Sequence, residues 1–254
     1  MKNSSGAIRI GIGGWVFPPW RGTFYPKGLR QADELAHASR QVTAIEINGT
    51  FYRTQTPASF RKWHDETPEG FVFSLKGPRF LTQRKELASA EPYMQRFFDS
   101  GLLDLKDKLG PILWQFAPFQ QFDPADFAGF LKLLPAELGG RAIRHVVEVR
   151  HDSFRTPGFI DLLRDRRVAV ALVDDAKHPA FEDLTADFAY LRLRRCVEAE
   201  PAGYPPDALD RWAGQLRGWS QAGRDSFLYF INGAKVRAPE VAQALIGRLK
   251  GERA

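Results

Sequence analysis

Eight short apolar runs recur along the chain: IRIGI (8–12), VTAIEI (42–47), FVFSLK (71–76), PILWQF (111–116), HVVEVR (145–150), VAVALV (168–173), FAYLRL (188–193) and SFLYFI (226–231). Nearly every one ends in a charged or amide residue. Segments with helical periodicity lie between them, and strands alternating with helices demand a parallel sheet. Eight such units closing on themselves predict a (β/α)8 TIM barrel, a fold that places its chemistry at the carboxyl ends of its strands. At 254 residues the chain fits one such barrel, read as a single domain over 1–254.

Helix starts are legible. Thr56-Pro57 opens ASFRKWHDE and Asp123-Pro124 opens ADFAGFLKLL, each as an N-cap followed by a first-turn proline. Further helices are expected over 31–40, 91–108, 157–166, 206–222 and 238–250. After the sixth run, DDAKHPAFEDLTAD is polar and broken by Pro179, so the sixth helix is expected to be short or missing. The longest irregular stretches, 13–30 and 194–206, both follow strands, where binding loops belong.

Composition narrows the function. No apolar run approaches the roughly 18 residues of a membrane span, and MKNSSGAIRI has no apolar signal core before the first strand, so a cytoplasmic protein without a membrane partner is expected. The one cysteine, Cys196, rules out an internal disulfide and any cysteine-ligated zinc or iron–sulfur cluster within one chain, and reads as an unreactive thiol. A net charge of +6 is a mild bias toward anionic partners and does not itself indicate nucleic acid.

Strand parity converts the pattern into a site. Side chains two apart share a face of a strand, and one face of each barrel strand points to the axis. One consistent assignment lets Glu46 and Asn48 follow Ala44, Lys76 follow Ser74, Gln115 follow Leu113, and Glu148 and Arg150 follow Val146. It continues with Asp174 after Leu172, Arg192 and Arg194 after Tyr190, and Asn232 after Phe230. Seven strands would then aim a polar group at one mouth. Buried charge is costly unless paired, so the competing expectation is an internal ion-pair network of Glu46 and Glu148 with Lys76 and Arg192.

The segments IGIGGWVFPPWRGTFYP, EINGTFYRTQTPASFRKWHDETPEGFVFSLKGPRFLT, LGPILWQFAP, VEVRHDSF and YLRLR resemble those of the YecE-like TIM-barrel proteins, domain of unknown function 72, over nearly the whole chain. The resemblance implies a barrel with its site at the carboxyl end and brings no established reaction. Two departures stand out. Gln83 follows the threonine of the LT segment, where the family pattern has histidine, and the last strand ends Phe230-Ile231-Asn232 rather than in an FNN-type sequence. A mechanism needing an acid–base histidine at position 83 is therefore in doubt for this chain.

Individual motifs leave alternatives open. GIGG (11–14) is not a dinucleotide fingerprint, because Val16 stands where glycine is needed and Phe-Pro-Pro-Trp follows. Trp15, Phe17 and Trp20 either roof the mouth or pack the first loop as core aromatics. Tyr52 joins Glu46 and Asn48 in a grouping suited to a polar substrate. Lys76 and Arg79, flanking Gly77-Pro78, resemble an anion clamp, and Lys76 is also a possible Schiff-base nucleophile. His151 is out of register with Glu148 and Arg150. A histidine-rich metal site does not fit the five histidines, while a carboxylate-only magnesium site from Glu46, Glu148 and Asp174 stays open. Ser74 has no histidine partner for a triad. Arginines near the paired carboxylates would oppose the cationic transition state of glycoside hydrolysis.

Two functional classes follow. One is an enzyme for a small anionic, phosphate- or carboxylate-bearing substrate, with Glu46, Glu148, Asp174 and Lys76 catalytic. Trp15, Asn48, Tyr52, Arg79, Gln115, Arg150, His151, Arg192, Arg194 and Asn232 would then bind the substrate. The other is a nucleic-acid or nucleotide binding protein without turnover, using RLRR (192–195) and exposed aromatics.

Overall fold

Each apolar run forms a strand, with ends shifted by at most two residues: β1 Ile8–Gly13, β2 Ala44–Ile47, β3 Val72–Lys76, β4 Leu109–Gln115, β5 His145–Glu148, β6 Ala169–Val173, β7 Phe188–Leu193 and β8 Asp225–Phe230. In the computed structural model, which describes residues 5–231 and 233–251, they close into a parallel barrel in the order β1-β8-β7-β6-β5-β4-β3-β2. The protein is an α/β TIM barrel.

Helices alternate with the strands, and the two caps the sequence signalled are formed. The Thr56 side chain accepts from the Ser59 N–H, and Asp123 accepts from the N–H groups of Ala125 and Asp126. No helix occupies residues 174–187, as the polar, proline-broken stretch predicted. The expected helix over 91–108 is two elements, Glu91–Phe98 and a 3-10 segment Leu102–Lys108. Gly101 separates them at φ +95°, a conformation that ends a helix. A two-stranded antiparallel ribbon, Glu137–Leu138 with Arg141–Ala142, precedes β5. The Gly139-Gly140 turn that joins it, both residues at positive φ, is a hairpin signal present in the sequence.

Two apolar layers separate inside from outside. The outer layer, between barrel and helices, contains Ile45, Phe73, Trp114, Val147, Leu172, Leu191 and Phe230. The inner one contains Ala44, Leu113, Val146, Ala171, Tyr190 and Tyr229. A Cβ on Gly11 would lie 2.1 Å from the Ala44 carbonyl oxygen and 3.1 Å from the Tyr229 ring, so β1 leaves its share of the interior to Tyr229.

The inner set fixes the parity of every strand and corrects two. On β2, β3, β4, β5 and β7 the residues predicted to face the axis do so. On β6 the inner residues are Ala169, Ala171 and Val173, and on β8 they are Phe227, Tyr229 and Ile231. Leu172 and Phe230 face the helices instead. Both runs are apolar at almost every position, so polarity carries no parity signal there. Side-chain size does carry one, since opposite two interior tyrosines the small alanines of β6 must point inward.

Candidate functional site

Five strands deliver the polar ends that meet above the inner layer. Glu46 and Arg192 are fully buried or nearly so, as are Lys76, Gln115 and Glu148. One hydrogen-bonded chain joins them. Lys76 Nζ donates to Gln115 Oε1 at 3.0 Å, and Gln115 Nε2 donates to Glu148 Oε1 at 2.8 Å. Arg192 Nη1 bonds Glu148 Oε2. The same guanidinium grips Glu46 through two parallel bonds of 2.9 Å, Nε to Oε2 and Nη2 to Oε1. Tyr190 donates to Glu46 Oε2 at 2.8 Å. This bidentate pairing is the strong form of an arginine–carboxylate contact, and it leaves no carboxylate oxygen without a donor.

Electrostatics follow from that geometry. Burial alone would raise the Glu148 carboxyl, but Arg192 and Arg150 outweigh it and hold it well below the usual carboxylate range. Burial likewise opposes the charge on Arg192, and the two glutamates more than restore it, so its pKa rises. Lys76 differs. Burial and then Arg192 push it down, Glu46 and Glu148 only partly compensate, and it falls from 10.5 to about 8. Its ammonium also sits 3.9 Å from the centroid of the Phe51 ring.

Local structure holds Lys76 in place. A Cβ on Gly77 would come within 2.3 Å of the Trp114 ring, so only glycine lets the chain turn past that ring directly after Lys76. Thr50 Oγ1 donates to the Lys76 carbonyl and Thr82 Oγ1 to the Gln115 carbonyl, both at 2.7 Å, fastening the loops after β2 and β3 to strand ends.

A half-buried rim surrounds the buried chain. Arg150 donates from Nε to Glu148 Oε1 at 2.9 Å. Arg194 pairs with Asp175 at 2.6 Å, and His178 Nε2 lies 3.8 Å from the same carboxylate. Burial and Arg150 lower His178, which favours its neutral form. Counting Lys76, Arg150, Arg192 and Arg194 as cations against Glu46, Glu148 and Asp175, the cluster carries +1 when Lys76 is protonated.

Other sequence candidates lie elsewhere. Asp174 does not face the mouth: it accepts from Tyr204 Oη at 2.6 Å and from the Arg194 backbone N–H, tying the end of β6 to the β7 loop. Burial raises its pKa against those bonds. The three carboxylates proposed for magnesium therefore do not converge. Trp15 packs edge-on against Trp63 and Phe73, with centroids 5.4 and 6.4 Å away, and Trp20 is fully buried, so both belong to the outer core. The His151 ring turns to its own loop, Nδ1 lying 2.8 Å from Ser153 Oγ. Asn48 stands at the N-cap position of Gly49–Tyr52 without a side-chain capping bond, its amide beside Gly13. Tyr52 is exposed, with Arg79 over its ring at 6.0 Å. Gln83 is exposed just beyond the short helix Arg79–Thr82, outside the buried chain. Asn232 lies outside the described residues.

Sequence reasoning missed Tyr190, Phe51 and Asp175. Tyr190 was recoverable, because it shares the inward parity of Arg192. Cys196 is buried and its thiol is pushed up to about 12, first by burial and then by Asp174, so the thiolate is scarce.

The comparisons with known proteins agree with this architecture. The family described as "Protein of unknown function DUF72" matches residues 9–254. The chain belongs to that family. Curated relatives include UPF0759 protein YunF of Bacillus subtilis, 26% identical over 61% of this chain and 54% of the relative. UPF0759 protein YecE of Escherichia coli K12 is 27% identical over 59% of this chain and 51% of the relative. The chain thus spans about half the length of the curated relatives it matches. A crystal structure of a DUF72 family protein from Thermotoga maritima superposes with a TM-score of 0.80 at 23% identity, covering 96% of this chain and 99% of the other. That likeness speaks to the fold.

Proposed function

We propose that this DUF72 protein is an enzyme acting on a small anionic substrate at the carboxyl-end mouth, with Lys76 as the proton-transfer group. The observation that carries this is a buried lysine held near pKa 8 inside a cluster of net charge +1. Enzymes tune lysines into this range for acid–base work, and the surplus positive charge is matched by one bound anion.

The catalytic glutamates of the sequence reading take a different role. With every carboxylate oxygen bonded to Arg192, Arg150, Gln115 or Tyr190, Glu46 and Glu148 position the guanidinium and set the potential at Lys76. Arg192 is engaged by both, so the anion falls to Arg150, whose Nε alone is bonded among the described residues.

Titration of inorganic phosphate, sulfate and acetate tests this, followed by the Lys76 ε-carbon NMR signal. Binding should raise the Lys76 pKa. Loss of one charge-assisted bond in Arg150→Gln should weaken binding roughly ten- to a hundredfold. Equal affinity in wild type and Arg150→Gln, or no binding at millimolar anion, would remove the reading.

One observation favours a second reading, nucleic-acid binding without turnover. Tyr52 and Phe119 are 68% and 69% exposed on the loops after β2 and β4, and Arg84 lies over the exposed Tyr93 ring. Aromatics interleaved with arginines stack on bases. A steep loss of affinity with salt marks that mode; a small-anion pocket gives a shallow one.

A further inference from the structure

At the amino ends of the strands, opposite the mouth, the barrel holds a cavity of about 410 Å3, within the range of small-molecule sites. Its floor is apolar, formed by Val72, Leu109 and Phe227. Its charges come from three arginines, Arg9, Arg141 and Arg144, and two aspartates, Asp107 and Asp225.

These charges are unequally satisfied. Arg144 is fixed: Nη1 donates to Asp225 at 2.7 Å and its guanidinium lies 5.2 and 5.8 Å from the Phe188 and Phe227 ring centroids. Asp225 also accepts from the Ala7 N–H at 2.7 Å, so both of its oxygens are occupied. Asp107 stands at an exposed position, 3.4 Å from His64 Nε2. Arg9 and Arg141 are left over, with no hydrogen bond or ion pair on either side chain among the described residues. Arg9 is half-buried on β1 with the inward parity of Gly11, and its charge acts on Asp225 and Tyr229 from a distance.

We propose that this cavity is a second binding site, for a small monoanionic carboxylate with an apolar body, its carboxylate held by Arg9 and its body against Phe227 and Leu109. A guanidinium fork matches a carboxylate bidentately. The five charged walls sum to +1, which one monoanion neutralises and a phosphate dianion would overshoot. The apolar floor adds affinity in proportion to the area it covers, favouring an aromatic or branched acid over acetate.

Calorimetric titration of benzoate, acetate and phosphate into the full chain, with Arg9→Gln and Arg150→Gln alongside, tests this independently of the mouth. Benzoate should bind more tightly than acetate, lose at least tenfold in Arg9→Gln, and keep its affinity in Arg150→Gln. Unchanged affinity in Arg9→Gln, loss in Arg150→Gln, or no benzoate binding at millimolar concentration overturns the proposal. Should Arg9→Gln fail to fold, the methyl NMR signals of Val72 and Leu109 decide it: benzoate shifts them if the site is real and leaves them unmoved otherwise.

Discussion

The inside of this barrel and the shell around it are both buried, yet they are built on opposite principles. The shell is aromatic. Phe116 packs on Phe127 at 5.6 Å and Phe154 on Phe159 at 5.1 Å between centroids, contacts that are many, weak and separable. The upper interior is a charged chain in which Arg192 answers two glutamates and each glutamate oxygen has a donor. Removing a ring from the shell leaves a cavity, whereas removing Arg192 leaves two like charges in a low dielectric. Such an interior can hold a lysine near pKa 8 because its members cannot relax independently.

The sharpest way to break this comparison is Arg192→Met. Breaking a buried pair costs about 3–5 kcal/mol, and here two carboxylates are orphaned, so the variant should lie at or beyond about 5 kcal/mol or not fold. Urea unfolding measures it. Restoring neutrality in Glu46→Gln/Glu148→Gln/Arg192→Met should recover part of the loss; a triple variant no better than the single one would contradict the charge argument.

Phe154→Ala probes the shell. The lost transfer free energy and the cavity together should cost about 3–4 kcal/mol. That cost should not vary with pH, because Phe154 is fully buried in the apolar core and packs on the Phe116, Phe122, Phe127 and Phe159 rings.

Two buried bases give separate pH windows, one acidic and one alkaline, in both of which stability rises with pH, each worth on the order of 3 kcal/mol at roughly 1.36 kcal/mol per pKa unit. In the shell, His145 receives the Trp114 Nε1 hydrogen bond at 3.1 Å and lies 2.8 Å from the Pro135 carbonyl. Burial lowers it from 6.5 to about 4. The unfolded chain therefore binds the extra proton between those values, and stability should fall as pH drops from 6.5 to 4, a loss that His145→Gln abolishes. Lys76 is depressed from 10.5 to about 8, so the unfolded chain binds more protons between those limits. Wild-type stability relative to Lys76→Met should rise from pH 8 to 10.5. A flat difference in either window would mean that the group titrates normally.

How far this contrast was legible in the sequence depends on the strand. β2, β5 and β7 each set one charge, Glu46, Glu148 or Arg192, between two apolar residues, and period-two reasoning placed all three on one face. β6 and β8 are apolar on both faces, as strands buried on both sides are. Parity there is set by volume against Tyr190 and Tyr229, which no one strand reveals, so Asp174 was assigned inward when it faces Tyr204. The pairing of Arg192 with both glutamates is one of the alternatives the sequence offers. What could not be read was that every carboxylate oxygen is occupied, three by Arg192 and Glu148 Oε1 by Gln115 and Arg150, which is the observation that turns the proposal from the glutamates to Lys76.

The smallest effect bears on separability. The outer helices are held at their starts by local caps: Asp123 accepts from two N–H groups at 2.9 Å, and Thr156 from the Phe159 N–H at 3.3 Å. Each cap lost to alanine should cost about 1 kcal/mol, less for the longer Thr156 bond. The two caps share no partner, so Asp123→Ala/Thr156→Ala should equal the sum of the single variants within about 0.5 kcal/mol. Glu46→Gln and Arg192→Met share a bidentate contact, and their double-mutant cycle should depart from additivity by more than about 1 kcal/mol. Each effect is read from urea midpoints at constant slope. If the cap pair couples as strongly as the interior pair, shell and interior are one cooperative network, and the independence attributed to the outer layer does not exist.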